Sequence, residues 1–173
     1  MIETSEQVLA DAPPQGRRRS ATPVTATRAE RSTVSEAKKT LSIQRTFSDP
    51  KTHPFDQVEW ERRIAEIADD AGKVVFKQDN VEVPKEWSQL ATKVVVSKYF
   101  YGEQGTPERE TSVRQLIHRI CRTIADWGVK DGYFTKAGGE VFYDELTWLC
   151  LNQYGAFNSP VWFNVGLYHQ YHV

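Results

Sequence analysis

The stretch GAFNSPVWFN, residues 155–164, holds the residues of this chain best suited to hold a ligand: Ser159 followed by Pro160, between Asn158 and Trp162. Proline fixes its own φ near about −65° and pushes the residue before it, Ser159, towards extended geometry. A turn of that kind holds a serine hydroxyl and neighbouring backbone N–H groups still, and such groups can meet a phosphate or a sugar. The same residues also read as a structural turn that buries two aromatics. On the residues alone both readings stay open.

Other groups could do chemistry and have plainer readings beside it. Cys121 and Cys150 fall on apolar faces of predicted helices, where a free cysteine acts as a small hydrophobe. His169 and His172 are spaced HxxH and could join the cysteines in a zinc site, but the cysteines do not form a CxxC pair. His118 lies among Arg114, Arg119 and Arg122 on a helix, which reads as surface or partial packing rather than a general base. Glu110 and Arg114 are i,i+4 partners and read as a solvated face rather than catalytic carboxylate chemistry. The five tryptophans mostly occupy periodic apolar positions and read as core. No glycine-rich phosphate loop, HExxH, nucleophile elbow or zinc ribbon is present.

The elements that must carry the Ser159 turn follow from hydrophobic period. Residues 60–67 fit either a helical face (Trp60, Ile64, Ile67) or the first strand of a hairpin whose turn is Asp69-Asp70-Ala71-Gly72. The turn signal and the clearer strand over 73–78 favour the hairpin. Val83-Pro84 ends extended structure. A helix is expected over 86–100, with Trp87, Leu90, Ala91, Val94, Val95 and Tyr99 on one face. A second is expected over 112–128, started by Thr106-Pro107 or Thr111 and closed by Gly128 with Asp131-Gly132. A third should run from Gly139 or Glu140 to Asn152, set off by Gly138-Gly139. The fold class is α+β and mainly helical, with a small β-hairpin.

Composition bounds the partners. The 173 residues make about one domain, with 39% hydrophobic and 12% aromatic residues, enough for a modest core. A net charge of −1 gives no reason to expect nucleic-acid binding. No apolar run approaches the ~18 residues of a membrane span, and no secretory leader is read. Two cysteines do not build a disulfide scaffold, so a reducing, cytoplasmic setting is expected. Residues 1–42 form an extension, rich in Ser, Thr, Ala, Pro and Arg through residue 40, that is expected to be disordered. Its Arg17-Arg18-Arg19 reads as a solvated tail rather than a polyanion site.

Five segments recur in a familiar order: IQRTF (43–47), HPFDQVEWERR (53–63), GKVVFKQDNVEVPKEWSQLATKVVVSKYF (72–100), GTPERETSVRQLIHRICRTIADWGVKDGYF (105–134) and DELTWLCLNQYGAFNSPVWFNVG (144–166). Together they resemble the N-terminal region of the vitamin B12-dependent (class II) ribonucleotide reductases. The resemblance implies an enzyme that replaces the ribose 2′-hydroxyl of a ribonucleotide with hydrogen. In that family adenosylcobalamin generates a thiyl radical on a cysteine, and a cysteine pair supplies reducing equivalents renewed by a thioredoxin-type donor. Residues 43–173 would be the helical lead-in to a ten-stranded α/β barrel that is itself absent from this chain.

The same resemblance assigns Ser159 to the substrate site near its phosphate end, and Asn158, Pro160 and Trp162 to shaping the loop. No catalytic or metal-binding residue is assigned here, since Cys121 and Cys150 match none of the family's reacting cysteines. The cobalamin-binding portion lies in the part of the enzyme missing here. The chain is expected to be a fragment, or one piece of a split enzyme, and inactive alone. Its partners would be the ribonucleotide substrate, the remaining reductase polypeptide, and a second copy in a homodimer. Residues 161–165 are expected to be a barrel strand without its neighbours, followed by a loose tail. The competing reading is a non-catalytic helical module that binds another protein.

Overall fold

A computed structural model describes residues 40–173. The expected disordered extension, with Arg17-Arg18-Arg19, lies outside these residues except for 40–42, where Leu41 N–H donates to Tyr133 O at 2.7 Å.

Of the two readings for residues 60–67, the structure shows the hairpin. Strands β1 (Trp60–Ala68) and β2 (Val74–Pro84) pair antiparallel, with Trp60 opposite Pro84 and Arg63 opposite Val81. The turn closes because Asp69 Oδ1 accepts from the N–H of Ala71 at 3.0 Å and of Lys73 at 2.9 Å. The root of the hairpin is core, with Ala65, Val81 and Val83 fully buried, whereas Val74 and Val75 at the tip are exposed. β2 therefore runs beyond the expected 78, because its second half packs on the helices.

The helices are α1 (Gln89–Lys98), α2 (Val113–Lys130), α3 (Lys136–Leu151), α4 (Ser159–Asn164) and α5 (Leu167–Tyr171). α2 is the spine. Ser112 caps it, its hydroxyl accepting from Arg114 N–H while the Gln115 side chain accepts from Ser112 N–H. Val113, Leu116, Ile117, Ile120 and Cys121 are buried along it, and α3 lays Tyr143, Cys150 and Leu151 into the same core. Trp87 Nε1 donates to Leu151 O at 2.8 Å and joins the start of α1 to the end of α3.

Four expectations about these elements are corrected. α2 runs to Lys130 and closes at Asp131-Gly132, as expected, with Gly132 at φ 74°, but Gly128 is no part of that end; a Cβ at Gly128 would lie 2.4 Å from the Phe134 ring, so the glycine admits that ring. Gly138-Gly139 does not separate α3 from the preceding turn. Thr135 caps the helix by accepting from Gly138 N–H, and Gly139 is bare because Val129 Cγ2 would sit 2.3 Å from a Cβ there. α1 buries Thr92 and Val96 rather than Leu90 and Val94, which are exposed. Arg63 fixes that rotation, its guanidinium donating to Trp87 O, to Lys85 O at 2.7 Å and to Thr92 Oγ1 at 3.0 Å.

The fourth concerns the C-terminal stretch. Residues 161–165 are not an extended strand: α4 covers them up to Asn164, and the extended residue of the turn is Asn158 (φ −70°, ψ 161°). Ser159 and Pro160 open the helix, where proline's fixed φ and missing N–H are both tolerated. The tail is not loose either, since α5 follows Gly166 and returns to the core.

Ahead of β1, the segment 45–48 is fastened to α3 by one carboxylate. Glu145 accepts from the N–H groups of Thr46 (3.0 Å), Phe47 (3.0 Å) and Ser48 (2.8 Å), and from the Ser48 hydroxyl. Beside it Arg45 pairs with Asp144 at 2.6 Å.

Candidate functional site

The loop 152–158 carries the chain from α3 to Ser159, and three groups hold the far side of that turn. Asn158 O accepts from the N–H of Val161 (3.1 Å) and Trp162 (3.3 Å), while its side chain makes no cap hydrogen bond. The Trp162 ring packs edge-on to Phe157 at 5.5 Å and tilted against Tyr99 at 6.1 Å. Ser159 is exposed, and its Oγ shares a hydrogen bond with the Tyr99 hydroxyl at 3.1 Å. Asn158, Ser159, Pro160 and Trp162 thus form one local unit. Ser159 presents the hydroxyl, and Trp162 seats the helix behind it.

Beneath this unit lies a pocket of about 250 Å³ lined by Trp87, Tyr99, Leu116, Cys150, Phe157 and Trp162 among others. It is mostly apolar, so it suits a flat or aliphatic group better than a charge.

What anchors the unit is a buried ion pair, Glu110 with Arg119, although Glu110 was expected beside Arg114 on a solvated face. Glu110 and Arg119 side chains have no exposed surface, and Arg119 Nε donates to Glu110 Oε1 at 2.8 Å. The remaining Arg119 donors reach Val165 O (2.7 Å), Trp162 O (3.4 Å) and Tyr99 O (3.4 Å). The Glu110 carboxylate also accepts from Tyr101 N–H (2.8 Å) and the Tyr171 hydroxyl (3.1 Å). Tyr171 in turn stacks on Tyr101 at 4.3 Å. Burial, then the Glu110 charge, raises the Tyr171 phenol above its ordinary range, so it stays a donor.

Glu110 is therefore no part of a solvated i,i+4 face. Arg114 instead lies 4.1 Å over the Trp60 ring and pairs with Glu82 at 3.4 Å. The signal for Arg119 was present in the spacing of Leu116, Arg119, Ile120 and Thr123, which puts an arginine on the apolar stripe of α2.

Gly166 completes the anchor. At φ +85° it lets the chain turn against α2, where a Cβ would meet Arg119 O at 2.4 Å.

The other candidates lie apart from this unit or behind it. Cys121 and Cys150 are free and buried, and hydrogen bonding to Cys150 together with burial raises the Cys121 thiol well above its ordinary range. His169 packs edge-on to Trp127 at 6.3 Å, and no group of three metal-ligating side chains occurs among the described residues. His118 Nδ1 meets the Tyr143 hydroxyl at 2.8 Å, and burial followed by Arg122 holds its imidazole below the ordinary value. No helix among the described residues is long and apolar enough to cross a membrane.

Comparison with known proteins supplies a context for this arrangement. A family profile described as class II vitamin B12-dependent ribonucleotide reductase matches residues 61–153, ending just before the Ser159 loop. A vitamin B12-dependent ribonucleotide reductase from Rhodopirellula baltica is 63% identical over 122 residues, which is 69% of this chain and 12% of that protein. One from Streptomyces coelicolor is 45% identical over 141 residues, covering 80% of this chain and 15% of the relative. One from Bradyrhizobium diazoefficiens is 34% identical over 165 residues, or 76% and 13%. The chain thus spans between 12% and 15% of the length of these relatives.

Proposed function

The chain belongs to the class II vitamin B12-dependent ribonucleotide reductase family, and from that membership we propose that it is the N-terminal part of an enzyme that reduces ribonucleotides to deoxyribonucleotides. The observation that carries the reading is the profile match over residues 61–153, which leads directly into the anchored Ser159 turn.

In this reading Ser159 binds the substrate near its phosphate end, and Asn158, Pro160 and Trp162 shape the loop. A neutral hydroxyl contributes orientation more than attraction, so the role is to place the nucleotide rather than to capture it. The support is geometric: the hydroxyl is exposed, fixed by Tyr99, and backed by a helix that Arg119 ties to the core. The cobalamin is a different matter. The pocket behind Ser159, about 250 Å³ and lined by packed aromatics, is far too small for a corrinoid, so these residues do not fit the cofactor. We assign it to the remainder of the polypeptide and derive no reaction step for this chain. A thioredoxin-type reductant, a cytoplasmic setting and a homodimer follow from the same reading.

Calorimetric titration with a ribonucleotide tests it, using the chain alone and then mixed with the remaining reductase polypeptide. Binding is expected only in the mixture, weakened about 3- to 10-fold by Ser159→Ala, the worth of one hydrogen bond. Binding in the mixture that ignores the substitution removes Ser159 from the substrate site.

A further inference from the structure

Tyr99 is gripped at every polar atom it has. Its N–H donates to Val95 O at 2.9 Å as the C-cap of α1, its carbonyl accepts from the buried Arg119 guanidinium, and its hydroxyl meets Ser159 Oγ at 3.1 Å. Its ring lies 5.2 Å from Phe163 and 6.1 Å from Trp162, both in α4. A tyrosine has two side-chain torsions, and the ring and hydroxyl contacts hold both. A serine hydroxyl, by contrast, rotates freely unless something sets it.

We infer that Tyr99 is a positioning residue that fixes the Ser159 hydroxyl, so that the serine proton is aimed at an acceptor oxygen of the substrate. This rests on the substrate-loop reading above. Either hydroxyl can donate across this contact, and the phenol, the more acidic of the two, is the better donor. When the phenol donates to Ser159 Oγ, the serine proton is left to point outward, and its donation is strengthened by the bond it accepts. The arrangement then offers the substrate a serine donor, which suits a phosphate or ribose oxygen. Because Tyr99 ends α1 and touches Arg119, the orientation of Ser159 is set by the folded core rather than by the loop.

The test uses the complete reductase carrying Tyr99→Phe, Ser159→Ala and the double substitution, with steady-state kinetics and thermal melting. Tyr99→Phe is expected to raise KM for the ribonucleotide about 3- to 10-fold, with kcat and melting temperature nearly unchanged. The double variant is expected to be no worse than Ser159→Ala, since Tyr99 acts only through the Ser159 hydroxyl. An unchanged KM in Tyr99→Phe, whatever its melting temperature, overturns the inference, as does additivity in the double variant. If Ser159→Ala itself leaves KM unchanged, the substrate-loop reading falls and takes this inference with it. A raised KM in Ser159→Ala but not in Tyr99→Phe sinks the inference alone.

Discussion

A guanidinium with no exposed surface must have its donors met, and Arg119 meets them with one carboxylate and three backbone carbonyls. Removing one member of such a pair leaves the other buried and unpaired, which costs about 3–5 kcal/mol. Arg119→Met is therefore expected to lower the unfolding free energy by that amount, measured by urea denaturation, and adding Glu110→Gln should recover part of it. A loss below about 1 kcal/mol would mean that water reaches Glu110. Arg119→Lys should rescue little, because an ammonium cannot reproduce the fork that reaches Val165 and Glu110 together. Gly166→Ala belongs to the same scale. At φ +85° and 2.4 Å from Arg119 O, an added methyl strains the backbone and displaces α5. We expect a loss of about 1–3 kcal/mol with the fold retained, read by the same denaturation. Arg119 was legible in principle, as an arginine on an apolar stripe. Its partner was not, because Glu110 lies in the loop before α2 and its burial depends on where Tyr101 and Tyr171 arrive.

Among the elements, the backbone N–H groups of the segment 46–48 are met by one carboxylate of α3. Burial opposes ionisation of Glu145, but the Ser48 hydroxyl and the N–H groups of Ser48, Phe47 and Thr46 outweigh it and hold the carboxyl below its ordinary range. A carboxyl with a depressed folded pKa contributes stability that is fully present above the unfolded value of about 4.3 and is lost as pH falls through the folded value. Hydrogen exchange should therefore show the amides of Thr46, Phe47 and Ser48 losing protection on acidification before the α2 amides do. Glu145→Ala should remove that protection at neutral pH. Persistent protection in the variant would show that the Arg45–Asp144 pair and the Phe47–Trp148 stack hold the segment without Glu145. The hairpin, α2 and α3 could be read from period and turn chemistry. The glycines were misread because a helix-breaking residue is also the residue that admits a close neighbour, and only the positions of Phe134 and Val129 decide between the two.

At the scale of the molecule, the hairpin root, α1, α2 and α3 share one core in which Ile117 and Ile120 have no exposed surface. Residues 40–173 should unfold in a single transition, with far-ultraviolet dichroism and tryptophan fluorescence coinciding. Ile120→Ala should lower that transition by about 2–5 kcal/mol without splitting it; two separated transitions would show the hairpin to be independent. The sequence by itself was enough for the family, the α+β class and the hairpin turn at Asp69, because these rest on local order, period and residue type. Tertiary structure alone decided that residues 159–164 are helical, that the C-terminal residues return to the core, and that Glu110 and Arg119 are buried. The physical reason is the same in each case. A short helix and a buried charge are stable only through partners distant in the chain, and no local pattern records where those partners will be.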